Sequence, residues 1–212
     1  MSHQSDKAKP SADPHKWPRK TLKKAAYVFF RILAFPFVLL VRLGDILRID
    51  FYPGLATGLS LLPGLSGSYM RLAFYKGVLP EIGNDVHIGF GTFFSKREAK
   101  VGNNVNIGAY CVIGKAHIGS NVFIASKVSI TSGKHQHTDA ILTHDHTLNP
   151  RFESITIGNW TWIGEGAIVM ADIGNNSVVA SGAVVTRPMP DGKLIAGNPA
   201  RILDLRPTPS HG

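Results

Sequence analysis

The sequence contains little cysteine and little charge. Only one of its 212 residues is a cysteine, Cys111, which excludes a disulfide within the chain and a metal centre built from several cysteines. Charged residues account for 17% and hydrophobic residues for 44%, a balance typical of a packed domain rather than a disordered chain. Cys111 falls at a corner or outward position of the repeat described below, where we expect a space-filling side chain rather than a nucleophile.

The sequence also lacks a long uncharged apolar run. Residues 25–47 are strongly apolar, but Arg31, Pro36 and Arg42 interrupt them. No uncharged stretch reaches the roughly 18–20 residues of a transmembrane helix. The segment also begins too late for a secretory signal and lacks a small-residue cleavage site.

Positive charge is concentrated towards the N-terminus. The formal net charge is +9, and many basic residues precede or interrupt the apolar segment. Such an apolar segment is not typical of a tail that binds nucleic acid, so no nucleic-acid partner is expected. The pattern predicts a helix lying in the surface of an anionic membrane; the alternative is a helix packed on its own domain or on a neighbouring subunit. A second apolar stretch, residues 51–65, is expected to dip into the same interface or to cap the end of the repeat.

Residues 82–185 repeat a unit of six residues. Each unit begins with a branched aliphatic residue followed by a small one, as in Ile88-Gly89 and Ile107-Gly108. A period of six fits neither an α-helix nor simple strand alternation. It fits a chain that turns a corner every six residues, with three sides forming a coil of about 18 residues. The repeat therefore predicts a parallel β-helix, with slips of register within residues 113–118 and 169–173.

Residues 133–154 leave the repeat, which then resumes. The excursion is rich in hydrogen-bonding side chains, including His135, His137, His144 and Asp145. Loops carried on a rigid scaffold often hold functional residues, and a histidine is suited to act as a general base near neutral pH. His135 is the first candidate for that role.

Residues 82–201 resemble the hexapeptide-repeat acyltransferases, especially the galactoside, maltose and exopolysaccharide O-acetyltransferases. The resemblance rests on four stretches: residues 124–135, which end in Gly133-Lys134-His135; residues 157–164, with Trp162 before Ile163-Gly164; residues 181–187; and Gly197-Asn198-Pro199-Ala200-Arg201. It implies a mainly β, left-handed parallel β-helix that assembles as a homotrimer.

The resemblance also implies roles for particular residues. His135 corresponds to the catalytic base, with His137 as second choice because Lys134 is an extra residue in the motif. His144 and Asp145 are expected to orient the base or hold the acceptor. Acetyl-CoA is the expected co-substrate, and no metal is expected. The residues expected to line its groove are Trp162, Gly164, Ser181, Gly182, Thr186, Arg187 and Arg201.

The expected organisation is a disordered basic tail (1–20), an apolar helical membrane-interface segment (21–79), the β-helix acyltransferase domain (80–204) with its active-site loop (133–154), and a C-terminal tail (205–212). The expected function is transfer of an acetyl group to a hydroxyl of a polysaccharide or lipid-linked glycan. The expected location is the cytoplasm, at the inner face of a bacterial membrane. Alternatives are a serine O-acetyltransferase, a metal-dependent hydratase resembling the γ-type carbonic anhydrases, and a non-catalytic scaffold.

Overall fold

The computed structural model describes residues 16–133 and 152–203, with side chains from Lys23 onwards. Three helices come first: α1 (Lys16–Leu47), α2 (Tyr52–Ser60) and α3 (Gly64–Val78). Sixteen short strands follow: β1 (Glu81–Ile82), β2 (His87–Ile88), β3 (Phe93–Phe94), β4 (Lys100–Val101), β5 (Asn106–Ile107), β6 (Val112–Ile113), β7 (Ala116–Ile118), β8 (Phe123–Ile124), β9 (Ser129–Ile130), β10 (Ile155–Ile157), β11 (Trp162–Ile163), β12 (Ile168–Val169), β13 (Val178–Val179), β14 (Val184–Val185), β15 (Leu194–Gly197) and β16 (Ala200–Leu203).

The strands form the three faces of a parallel β-helix. Face 1 has the order β1-β4-β7-β10, face 2 the order β16-β15-β13-β11-β8-β5-β2, and face 3 the order β14-β12-β9-β6-β3. From β1 to β12, successive strands along the chain move from face 1 to face 2 to face 3. Beyond β12, face 1 is continued only by the isolated bridges of Ile173 and Met189, and all strand pairs are parallel except the final β15–β16 hairpin. The predicted mainly β solenoid with an N-terminal helical segment is therefore confirmed. The left-handed sense of the coil rests on the resemblance.

The branched residue of each six-residue unit points inward. Ile88, Ile107, Ile124 and Ile163 stack along face 2, and each is 0% exposed. Burial of one such side chain contributes about 1.5–3 kcal/mol. The small residue that follows permits close stacking of the coils, since a Cβ on Gly89 would lie 2.4 Å from the carbonyl carbon of the next coil.

The irregular steps of the repeat all fall at one corner. Glu81 pairs with Lys100, Lys100 with His117, and Trp162 with Val178, which gives coils of 19, 17 and 16 residues instead of a constant 18. The coil from His117 to Thr156 lies between the second and third of these and contains the excursion. The additions and deletions lie where the chain passes from face 3 to face 1, at residues 95–99, 114–115, 131–154, 170–172 and 186–188. We call this edge the variable corner. The long excursion from the repeat is also there.

The three helices close the first coil. α3 packs on the coil, α1 packs along α3, and the Tyr52 hydroxyl of α2 donates a 2.7 Å hydrogen bond to the Phe94 carbonyl. Residues 51–65 thus include a helix that caps the end of the β-helix, one of the two predicted roles. α1 begins at Lys16, before the boundary expected at residue 21, and continues through Pro36.

Candidate functional site

The excursion is closed at its base. The Glu153 N–H donates a 3.0 Å hydrogen bond to the Ser132 carbonyl, so the chain leaves and rejoins the β-helix at one point of the variable corner. The Ser132 hydroxyl accepts a 2.8 Å bond from the Lys115 N–H on the preceding coil. Gly133 has a φ of +85°, and a Cβ there would lie 2.9 Å from the Glu153 Cβ. Glycine is needed because this backbone is left-handed and the returning chain is so close.

Four of the expected site residues belong to the excursion itself. His135, His137, His144 and Asp145 lie outside the residues that the structure describes. Their roles as base, alternative base and acceptor-binding groups remain predictions.

Two of the expected donor-binding residues lie on the variable corner. Thr186 and Arg187 follow β14, two strands beyond β9 in the order of face 3. Adjacent strands are about 4.8 Å apart, so Thr186 is about 10 Å from Thr131 along the same edge. Arg187 is exposed. The edge that carries the excursion thus also carries a solvent-facing guanidinium, which is suited to bind phosphate.

Three further expected residues cluster on the other edge of face 3. A Cβ on Gly164 would lie 2.5 Å from the Ser181 backbone nitrogen on the next coil. Gly182 has a φ of +70°, and its N–H donates a 2.8 Å bond to the Glu165 carbonyl. The structure therefore brings Gly164, Ser181 and Gly182 together but separates them from Thr186 and Arg187 by the width of face 3. The two groups border face 3 rather than forming one cluster.

Trp162 and Arg201 lie on face 2. Trp162 is 48% exposed, and its cross-strand partners are Phe123 and Val178. Arg201 lies on β16 opposite Ala196, and its guanidinium donates a 3.0 Å bond to the Ala200 carbonyl. Within one chain, these two residues do not share the edge that holds Thr186 and Arg187.

Sequence reasoning did not single out two lysines on the variable corner. The Lys96 ammonium lies 3.6 Å from the centroid of the Phe152 ring, at the returning end of the excursion. The Lys115 carbonyl accepts a 3.0 Å bond from Ile155, and its N–H donates to Ser132, so Lys115 adjoins both ends of the excursion. The sequence signal that could have identified them is the departure from six-residue steps, since both lysines lie where a coil gains or loses a residue.

Cys111 lies at a corner and is 0% exposed. Burial raises the pKa of its thiol, and its sulfur lies 3.1 Å from the Ala125 carbonyl oxygen. A buried thiol with a raised pKa is a poor nucleophile, as expected for a space-filling residue.

In residues 16–133 and 152–203, no three or more histidine, cysteine or carboxylate side chains cluster closely enough to hold a metal ion. His87 lies on face 2 and His117 on face 1, so these two point outward from different faces.

The geometry defines a hexapeptide-repeat β-helix with a closed insertion at one corner. Residues 98–132 match the family described as bacterial transferase hexapeptide (six repeats). This match and the fold confirm the resemblance to the hexapeptide-repeat acyltransferases.

One curated relative is "Putative lipopolysaccharide biosynthesis O-acetyl transferase WbbJ" of Escherichia coli (strain K12), which is 32% identical over 123 residues, 54% of this chain and 61% of the relative. The chain spans about half the length of the curated relatives it matches.

Two solved structures share the fold. A maltose O-acetyltransferase from Clostridium difficile 630 is 25% identical, with a TM-score of 0.61 over 72% of this chain and 83% of that chain. A galactoside acetyltransferase in complex with coenzyme A is 23% identical, with a TM-score of 0.60 over 71% of this chain and 77% of that chain. At that identity the second likeness shows the fold alone.

Proposed function

We propose that the protein is an O-acetyltransferase that transfers the acetyl group of acetyl-CoA to a hydroxyl of a carbohydrate, either a polysaccharide or a lipid-linked glycan. The observation that carries the proposal is the excursion closed at the variable corner of a hexapeptide β-helix. His135 follows Gly133 by two positions, so covalent geometry keeps its Cα within about 7 Å of the Gly133 Cα. The similarity to the maltose O-acetyltransferase and to the lipopolysaccharide biosynthesis relative supports an acceptor of this class.

The proposed reaction is a direct transfer. His135 removes the proton of the acceptor hydroxyl as that oxygen attacks the thioester carbonyl carbon. The carbon–sulfur bond then breaks, and the coenzyme A thiolate leaves and takes up the proton held by the imidazole. Backbone N–H groups of the coil stabilise the oxyanion formed on the way. No acyl-enzyme is required, in keeping with the buried Cys111 thiol.

The donor is proposed to lie along face 3, between its two edges. Small residues at Gly164, Ser181 and Gly182 leave room for pantetheine, and the guanidinium of Arg187 is suited to bind phosphate oxygens. In the galactoside acetyltransferase complex, coenzyme A is bound by a protein of the same fold. Arg201 and Trp162 lie on face 2, outside the groove proposed along face 3, and the resemblance implies a homotrimer in which a neighbouring subunit contributes to the site. We therefore include the homotrimer in the proposal.

Calorimetric titration of acetyl-CoA tests the donor. We expect micromolar binding by the wild type, weakened at least tenfold in Arg187→Ala and further in Arg187→Ala/Arg201→Ala. Lys100→Ala is the matched control, because Lys100 is an exposed cation on face 1 and its removal should leave affinity unchanged. Absence of binding by folded wild-type protein would reject the transferase proposal.

Release of the coenzyme A thiol in the presence of galactosides, maltose or serine tests the acceptor and the base. We expect turnover with a sugar and a loss of at least a hundredfold in kcat for His135→Gln, with acetyl-CoA affinity retained. A larger loss in His137→Gln would move the base to that residue. Turnover with serine alone would favour the serine O-acetyltransferase alternative.

A further inference from the structure

One side of α1 is a continuous apolar surface that nothing in the described structure covers. Ten large hydrophobic side chains on it are each 38–76% exposed: Val28, Phe29, Ile32, Leu33, Phe35, Leu39, Leu40, Leu43, Ile46 and Leu47. At about 100° per residue these positions occupy one arc of roughly 160°, and no charged residue falls within it. We call it the α1 apolar face. Soluble monomers rarely expose a patch of this extent without a binding partner.

The opposite side of α1 packs on the protein. Ala34 and Val41 are buried there. Two charged groups of the helix contact the rest of the protein: Arg42 donates a 3.0 Å hydrogen bond to the Gly77 carbonyl, and Asp45 forms an ion pair with Arg97. The helix is therefore attached through one side and presents a purely apolar surface on the other.

Length and composition would also allow α1 to cross a bilayer, since an 18-residue window within Lys23–Leu47 has a mean hydropathy of 2.0 and only 11% of that window is buried. The contacts argue against crossing. Phe30 stacks on Tyr69 of α3 near one end, with ring centroids 5.6 Å apart, and Asp45 pairs with Arg97 of the β-helix near the other end. A crossing helix would draw α3 and the first coil into the hydrocarbon, where exposed charges are costly.

Cations adjoin the apolar face. A cavity of about 870 Å³ lies between α1, α3 and the first coils, and Lys23, Lys24 and Lys76 line it. Val28 of the α1 apolar face, Leu65, which is 75% exposed, and Asp85 line it as well. The sequence before Lys23 adds to this charge, with five basic and two acidic residues. Ammonium groups beside an exposed apolar face match the phosphates that lie above the acyl chains of a bilayer.

We propose that the α1 apolar face lies in the surface of an anionic bilayer, with the helix parallel to the membrane plane and the lysine-lined cavity at the level of the lipid phosphates. A second copy of the chain is a poorer occupant, because a contact through this face brings the same excess of cations together from both sides. The proposal is independent of the transferase activity. If both hold, the excursion on the variable corner acts on an acceptor presented at the membrane.

Co-sedimentation of the full chain with vesicles tests the proposal. We expect binding to phosphatidylcholine vesicles containing about a third phosphatidylglycerol, and at least tenfold weaker binding to phosphatidylcholine alone. Phe29→Glu/Ile32→Glu should abolish binding to both, and Lys23→Glu/Lys24→Glu should remove the preference for anionic lipid. Tyr110→Glu/Phe123→Glu is the matched control, because these side chains are 56% and 47% exposed on the β-helix.

Two results would overturn the proposal. The first is absence of wild-type binding to either vesicle. The second is a loss of oligomeric state in Phe29→Glu/Ile32→Glu by size-exclusion chromatography with light scattering, which would make the face a subunit interface.

Orientation is tested separately with a tryptophan placed at Phe29, Leu39 or Ile46 and lipids brominated at different depths. An in-plane helix gives similar shallow quenching at all three positions. Deepest quenching at Leu39 alone would show a crossing helix and reject the in-plane orientation.

Discussion

Arg71 is the side chain whose removal should most weaken the packing of the N-terminal helices against the β-helix. It lies on α3 and is only 1% exposed. Its guanidinium donates to the carbonyls of Leu62 at 2.8 Å, Ser60 at 3.1 Å and Ile88 at 3.1 Å, with a longer contact to Leu59 at 3.5 Å. Burial lowers the pKa of the guanidinium, but a group with so high a reference value stays charged at neutral pH.

Arg71→Met retains much of the stem and removes the donors. The Ser60 carbonyl also accepts from Gly91, so it keeps a partner. The carbonyls of Leu62 and Ile88 lose theirs; the Ile88 carbonyl is buried and the Leu62 carbonyl partly buried. At about 1–3 kcal/mol for each unpaired group, a total loss of about 3–5 kcal/mol is expected. In a chain of this size that corresponds to a fall in Tm of roughly 6–20 °C.

Thermal and urea unfolding followed by circular dichroism measure this loss. Arg71→Lys should be intermediate, because a single ammonium cannot reach three separate carbonyls with the guanidinium geometry. Lys127→Met is the matched control: its ion pair with Glu165 is exposed, and its removal should change stability by less than about 0.5 kcal/mol. A loss below about 1 kcal/mol in Arg71→Met would refute the reasoning that this buried charge secures the packing of the helices against the β-helix.

Three further predictions concern other parts of the fold. Ile163→Ala should lower the free energy of unfolding by about 2–5 kcal/mol and Ile163→Val by only about 0.5–1.5 kcal/mol in urea titrations, since the side chain is fully buried; equal effects would contradict stacking in the core. Cys111 should react with a disulfide reagent at pH 8 only as fast as the protein opens, because burial raises its thiol pKa; rapid stoichiometric labelling of folded protein would count against this. The hydrogen bond from Arg97 holds the pKa of Asp45 below its usual value in the folded protein. The contribution of this pair to stability is therefore present above about pH 4 and is lost as the pH falls through the lowered pKa of the folded state. The Tm difference between wild type and Asp45→Asn should shrink towards pH 3, and a constant difference would contradict the assignment.

The repeat predicted the β-helix because one physical requirement recurs at every corner. A branched residue must enter the core, and a small residue must allow the next coil to approach, so Ile107-Gly108 and Ile163-Gly164 each carry the same information. Phe94 was harder to recognise from the sequence. It occupies an inward position in the first coil and is fully buried, but it is aromatic and Ser95 follows it, so it lies outside the aliphatic pattern.

The helices were less predictable for a different reason. The apolar composition of residues 25–47 indicated a helix with a hydrophobic surface, but composition does not determine which side of the helix packs on the domain. That choice depends on long-range contacts such as Arg42 with Gly77 and Asp45 with Arg97, which join residues 35 and 52 positions apart. In the sequence, Arg31, Pro36 and Arg42 counted against a helix that crosses the membrane, whereas in the structure Arg42 contributes to the attachment of α1 to the domain.

The variable corner links the regularity of the scaffold to the placement of chemistry. The other two corners keep steps of six residues because strand pairing and core stacking on both sides leave no room for a change. The corner between face 3 and face 1 accommodates steps that are longer or shorter, and it alone takes the insertion, whose ends Ser132 and Glu153 pair directly. An insertion closed in this way leaves the pairing of the coils beside it intact, so its sequence is free to vary without a change in the core. Lys96, Lys115 and Arg187 lie on that same corner, outside the core. Substitutions there should alter binding and turnover with little effect on stability, whereas substitutions in the inward column should do the reverse.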